Sequence, residues 1–259
     1  MGVTELLGTT ALTVAGCMTA LWLLSLALRD ASIVDIFWGL GFTVIGGLTF
    51  LWTDDGDAPR RVLLAALVGV WGLRLAAYLF WRNAGHGEDP RYVAMRRHWG
   101  ARFWWVSLIT VFALQGVLMW IVSLPVQLGQ LAPGGALNVV DALGVTLYGL
   151  GLGFEAVGDW QLARFKADPG SAGLVMDRGL WRYTRHPNYF GDFCVWWGLF
   201  VIALSTPYGV WTVVSPVLMS LLLLRVSGVP LLERSMHKRR PGYVDYVKRT
   251  SAFFPRPPR

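Results

Sequence analysis

The chain has 259 residues, of which 54% are hydrophobic and only 15% charged, with 14 tryptophans and a formal net charge of +7. A soluble domain carries about 25% charged residues, so this composition excludes an ordinary soluble enzyme or a diffusing nucleic-acid binder. Cys17 and Cys194 each sit inside an apolar run, which gives neither a disulfide framework nor a metal-ligand spacing.

Seven stretches are apolar and long enough to be read as helices crossing a hydrocarbon core of about 30 Å: residues 7–28, 33–52, 62–81, 103–124, 139–158, 190–204 and 210–224. The first is too long for a signal-peptide core and lacks a basic start, so it belongs to the mature chain. Near the start of the second stand Asp35 and Trp38. Ser32 and Asp35 have the spacing of a capping box with Asp in place of Glu; the competing reading is a carboxyl kept neutral by desolvation and able to donate to a carbonyl. On the third, Trp71, Arg74 and Tyr78 share one helical face. A loop with "GEDPRY" (residues 87–92) follows, holding Asp89 and Arg91.

"QLAPGGALN" (residues 130–138) reads as a turn before the fifth span. Inside that span "GLGLG" (residues 149–153) has no strand before it, so Gly149 and Gly153 are read as a helix-packing face. Glu155 and Asp159 are stacked four residues apart at its end, where the helix dipole disfavours acids; Arg164 and Lys166 follow. Then comes "LWRYTRHPNYFGDF" (residues 180–193), a dense polar stretch at the head of the sixth span. Pro187 suits a first helical position, and Asn188 and Asp192 fall on one face of the first turns. Capping explains one acid there, not an amide beside it, so this face is expected to line a pocket for a phosphate-bearing ligand.

The basic residues set the orientation. All of the 23 except Arg60, Arg61 and Arg74 lie on the connections after the first, third, fifth and seventh spans, which the positive-inside rule places in the cytoplasm with the N-terminus outside. Such a face also attracts anionic headgroups. The expected fold is therefore an all-α integral membrane protein of seven transmembrane helices, one domain over residues 1–259. Its cofactor-binding half runs from about residue 139 to residue 259.

"GLWRYTRHPNYFGD" (residues 179–192), with the tail "LLERSMHKRRPGYVDYVKRTSAFFPRPP" (residues 231–258), resembles the steroid 5-alpha-reductase family and is similar to the sterol reductases. "VDIFWGLGF" and "WGLRLAAY…GEDPRY" look like a bacterial branch of it. The element "RHPNYFG" alone is shared with isoprenylcysteine and phospholipid methyltransferases. The resemblance implies a reductase of a bacterial inner membrane that uses NADPH, on the cytoplasmic side, to saturate a carbon–carbon double bond conjugated to a carbonyl. By motif it implies that Asn188 and Asp192 hold the nicotinamide end with Tyr183 and His186 nearby. Asp89, Arg91, Glu155, Asp159, Arg164 and Lys166 are implied as further cofactor contacts. Arg225, Arg239, Tyr243, Tyr246 and Arg249 are assigned to a tail closing over adenosine and phosphates. The family's Gln-Glu pair corresponds here to Val34-Asp35, and its third-span tyrosine to Trp71.

Hydride added to the beta carbon of an enone generates an enolate, and a fixed donor at the carbonyl oxygen stabilises that transition state more than the ground state. Asp35, protonated, is the expected donor, assisted by Tyr78 or Trp38. The substrate class is a lipid entering from the bilayer: a 3-oxo-Δ4-steroid by resemblance, with a polyprenyl or fatty enone equally compatible. Membrane lipids are the other expected partner; no metal, nucleic acid or obligatory protein partner is expected. The rival enzyme reading is an S-adenosylmethionine-dependent methyltransferase, and the non-enzymatic one a small transporter or lipid-binding scaffold.

Overall fold

In hydrocarbon a helix satisfies its backbone groups internally, so long apolar runs without breakers fold as helices. The computed structural model describes residues 1–259 except 54–57, 132–134, 227, 230–232, 234–235, 237–239, 241 and 259. Among the described residues the fold is all-helical, with a single isolated parallel bridge between Thr184 and Ser251. The chain divides into two compact units: Met1–Asn138 with Ala203–Thr212, and Val139–Ile202 with Val213–Arg259.

The first unit contains α1 (Val3–Leu28), α2 (Ile33–Trp52), α3 (Ala58–Asn83), α4 (Pro90–Val122) and α5 (Leu124–Leu131). Helix α1 ends where Arg29 turns left-handed at φ 55°. Helix α4 starts on an Asp89 cap with Pro90 in its first turn; a 3-10 turn at Gly100–Arg102 and a π-turn at Leu108–Ala113 interrupt it. Helices α2 and α3 cross backbone to backbone: a Cβ on Gly39 would lie 2.3 Å from the Gly72 carbonyl oxygen. Around that crossing Phe42, Leu64, Val68 and Trp71 are fully buried.

Helix α5 was not anticipated, because the sequence ran the fourth span straight into a turn. It is buried from Pro125 to Leu131, two glutamines included. Gln127 accepts from Thr10 Oγ1 at 2.6 Å and donates to Ser123 Oγ at 2.7 Å, and Gln130 donates to the Gly46 carbonyl at 3.2 Å. Arg60 is buried and donates to the carbonyls of Gly135 and Ala136, while Arg61 donates to the Phe50 carbonyl. Two of the three exceptions to the charge asymmetry thus serve backbone oxygens.

The second unit pairs α6 (Val139–Ala167) with α7 (Pro187–Ala203), followed by α8 (Val214–Leu221) with a π-turn at Leu222–Val226, and by α9 (Tyr243–Arg249). The α6–α7 contact is antiparallel and runs through small residues. A Cβ on Gly151 would lie 2.5 Å from the Gly191 carbonyl oxygen, and Gly144 meets Gly198 in the same manner. The expected packing face is corrected here: Gly149 and Gly153 have nothing within 4 Å, whereas Gly144, Gly151 and Gly158 make the contact. Helices repeat nearly every seven residues, so this set follows one face, which Gly149 and Gly153 leave.

Among the described residues six helical stretches are long and apolar enough to cross a membrane: Val3–Leu28, Ile33–Trp52, Ala58–Asn83, Pro90–Val122, Val139–Ala167 and Gly209–Val226. The chain is a multi-pass membrane protein. The remaining expected span, residues 190–204, corresponds to α7, which has 17 residues.

Substitution at the crossing tests this packing. Gly191→Ala places its Cβ 2.5 Å from the Gly151 carbonyl oxygen, which backbone cannot yield cheaply, and is expected to destabilise by about 1–3 kcal/mol. Gly153→Ala faces open space and should be neutral or stabilising by up to ~1 kcal/mol. Melting of both variants in one detergent checks the contrast; equal melting temperatures would contradict it.

Candidate functional site

Two polar clusters form, one in each unit. In the first unit the turn between α1 and α2 is tied to the "GEDPRY" loop. Glu88 accepts from the Ala31 amide at 2.8 Å and takes a two-pronged ion pair from Arg96, and Ser32 Oγ accepts from the Asp89 amide at 3.3 Å. Arg91 spans Asp89 and Asp35, reaching Asp35 Oδ2 at 2.5 Å and Asp89 Oδ1 at 2.9 Å. The other Asp35 oxygen accepts from the Tyr92 hydroxyl at 2.7 Å, and Gln115 donates to that hydroxyl at 3.3 Å. Burial pushes Asp89 up, but the hydrogen bonds and charge of Arg91 hold it below the usual carboxylate range.

This geometry bears on two expectations for Asp35. The capping box does not form: the Ser32 hydroxyl is bonded to Asp30, and Ser32 makes no side-chain cap. Asp35 itself accepts from the Arg91 guanidinium and the Tyr92 phenol. Trp38 packs edge-on to Phe42, which meets Trp71, and Tyr78 lies beside Trp81. The tyrosine bonded to Asp35 is Tyr92, quoted within the loop motif but given no role. A phenol and a carboxylate 57 residues apart in sequence carry no periodic signal of their pairing.

In the second unit the glycine crossing brings Glu155 and Asp159, both buried, against the head of α7. Asn188 Nδ2 donates to Asp159 Oδ1 at 3.2 Å, so the two i, i+4 pairs seen in sequence meet. Asp192 lies one turn further along α7. The preceding stretch is pinned to α6, where Trp181 Nε1 donates to the Gly158 carbonyl and the Leu180 amide to Gln161. His186 stacks on Tyr189 with ring planes 7° apart.

The C-terminal tail clasps this stretch from its other side. Arg185 donates through Nη1 to the carbonyls of Thr250 at 2.6 Å and Val247 at 3.2 Å, and through Nε to Glu233 at 2.8 Å. His186 Nε2 lies 3.2 Å from the same Glu233 oxygen. Thr184 Oγ1 donates to the Phe253 carbonyl, the Arg185 amide to the Ser251 carbonyl, and the Tyr246 hydroxyl to the Trp181 carbonyl. Phe253 and Phe254 then pack on Phe190 and Phe193 of α7. Tyr243 and Tyr246 are buried in this clasp; burial pushes the Tyr243 phenol up to about 12 and raises Tyr246 as well. Arg185 and Glu233 had no assigned role. The available signal was an acid standing alone in the basic run "LLERSMHKRR".

Other expected contacts are dispersed. Arg164 lies over the Trp160 ring, Lys166 is exposed at the end of α6, Tyr183 is exposed beyond the clasp, and Arg225 is exposed on the π-turn. Arg239 lies outside the described residues. Arg249 pairs with Asp177 at 2.8 Å on the wall of a cavity of about 490 Å³, lined also by Phe165, Leu174, Val175 and Arg178. That volume is in the range of small-molecule sites. The cavity lining combines apolar side chains with the two arginines and Asp177.

Residues 21–250 match the model of a family described as "Protein of unknown function (DUF1295)". The chain belongs to the DUF1295 family. No curated protein and no solved structure matches it. The match takes in both polar clusters of this DUF1295 chain, from Asp35 to Arg249.

The clasp has a defined acid sensitivity. Burial raises Glu233, but the hydrogen bonds from His186 and Arg185 and their charge outweigh it and hold the carboxyl at about 2. A folded pKa below the ordinary Glu value near 4.3 contributes stability above that value, lost as pH falls toward about 2. Hydrogen exchange at residues 246–251, corrected for its intrinsic pH dependence, should therefore accelerate between about pH 4 and pH 2. In Glu233→Gln it should already be fast at neutral pH and lose that acid step; retention of the step would assign it to another group.

Proposed function

We propose that this chain is an NADPH-dependent reductase that saturates the double bond of a conjugated lipid enone, a 3-oxo-Δ4-steroid or steroid-like molecule. It would cross a bacterial inner membrane seven times, counting α7, with the N-terminus outside and the C-terminus and cofactor in the cytoplasm. The observation that carries this reading is the joining, within the second unit, of the two segments on which the reductase resemblance rests. Residues 179–192 and the tail are bonded through Thr184, Arg185 and Tyr246, next to the pair that Asn188 makes with the buried Asp159.

In this reading the carboxamide and acids of Asn188, Asp159 and Glu155 orient the polar end of the cofactor, and Arg178 and Arg249 at the cavity take phosphate. NADPH, when bound, supplies the hydride. The charge developing on the substrate carbonyl is met by the Asp35 cluster, with Arg91 and Tyr92 bonded to Asp35 as its fixed donors. A fixed donor of this kind contributes most when the charge is on oxygen. Loss of one such donor lowers turnover on the order of 10²–10³-fold.

The test is direct. Purified protein in detergent should melt higher with NADPH, and should consume it when given a steroid enone. A thermal shift with S-adenosylmethionine but none with NADPH would replace the reductase by the methyltransferase reading, which the RHPxYxG element also fits. In an active preparation, Arg91→Gln should lower turnover by about 10²-fold with NADPH affinity unchanged; normal turnover would remove the Asp35 cluster from the chemistry. For topology, a cysteine at Asp55 should label from outside intact cells and one at Arg240 should not, and the reverse pattern would overturn a cytoplasmic cofactor.

A further inference from the structure

Helix α4 is longer than a membrane is thick. Its 33 residues are more than the roughly 20 that cross a hydrocarbon core of about 30 Å. Residues 103–122 are apolar and fill that core, which leaves residues 90–102 outside it. The change falls at Gly100, whose φ of +51° opens the 3-10 turn Gly100–Arg102. On either side of this junction lie three exposed tryptophans, Trp99, Trp104 and Trp105, at 40%, 55% and 43% exposure. Trp22 of α1 braces the junction: its Nε1 donates to the Trp104 carbonyl at 2.7 Å and its ring stacks on Trp104.

The cations beside these rings divide into two sets. Arg91 and Arg96 are engaged by Asp35, Asp89 and Glu88. Arg97 and Arg102 are exposed, and residues 90–122 contain no acid at all. Among the described residues neither Arg97 nor Arg102 forms an ion pair. Exposed indoles at the edge of the hydrocarbon, with uncompensated arginines just outside it, match the layering of a phospholipid monolayer: rings at the carbonyl and glycerol level, cations at the phosphates.

We infer that residues 97–105 form a binding surface for the headgroup of an anionic phospholipid, with Arg97 and Arg102 on its charges and the three tryptophans in the interface below. A free phosphate would make no use of the indoles, so the surface is assigned to lipid. This assignment is independent of the reductase reading, since none of these residues belongs to either polar cluster.

The experiment uses the full chain in micelles containing equal phosphatidylglycerol and phosphatidylcholine, with retained lipid counted by native mass spectrometry. The wild type should retain phosphatidylglycerol selectively. The double variant Arg97→Gln, Arg102→Gln should lose roughly 10–30-fold of that preference, about 5-fold per charge at a membrane surface. Arg97→Lys, Arg102→Lys should keep most of it and melts as a control for folding. Equal retention of the two lipids by the wild type, or an unchanged preference in the Gln variant, would overturn the proposal. So would displacement of the lipid by inorganic phosphate at matched ionic strength, which would reassign the surface to a free anion. Should the Gln variant not fold, the wild-type preference must still fall with rising salt, and a salt-independent preference would be equally fatal.

Discussion

The backbones of α6 and α7 touch at Gly151 and Gly191, and the polar arrangement of the second unit depends on that contact. With no side chain on either helix at the crossing, the carbonyl of one lies where a Cβ of the other would stand. Helices that approach this closely bring the next turns together as well. The next turn of α6 carries Glu155 and Asp159, and the facing turn of α7 carries Asn188. A buried carboxylate left without a donor is costly, and the amide of Asn188 supplies one at 3.2 Å. Small residues at the interface and polar partners just beyond it are thus two parts of one solution.

The same requirement shapes the polar stretch before α7. Its backbone oxygens and amides are taken up by the tail, and the tail's last carbonyls are taken up by Arg185. A guanidinium suits this task because its five donors are held in one plane and serve several acceptors at once. Glu233 and His186 complete the charge balance around it. The first unit solves its own version of the problem with two arginines against Asp35, Glu88 and Asp89, and with paired glutamines inside α5. In both clusters the donors and acceptors are already fixed by the fold, which is the condition for pre-organised electrostatics.

Long apolar runs, their polar ends and the gathering of cations on the connections between them were legible from composition and spacing alone. They follow from local rules: a hydrocarbon environment permits few alternatives to a helix, and i, i+4 residues share a face wherever the helix goes. The pairs Glu155–Asp159 and Asn188–Asp192, and the importance of the "RYTRHP" stretch, were visible for that reason. The helix α5 was not, because two buried glutamines look like surface residues until their partners on α1 and α2 are known. Gly149 and Gly153 were favoured over Gly151 because spacing within one helix does not say which face a neighbour occupies.

By itself, then, the sequence determined that this chain is helical and membrane-embedded, and where along it the polar groups are concentrated. Those are properties of segments, set by solvent and by helical periodicity. Only the tertiary structure decided that Arg91 and Tyr92 are the partners of Asp35, and that Arg185 and Glu233 lock the tail over the head of α7. Each is a pairing across tens of residues whose geometry exists only once helices have packed. The protonation and direction of a hydrogen bond depend on which partner arrives, and no pattern within a single segment specifies that partner.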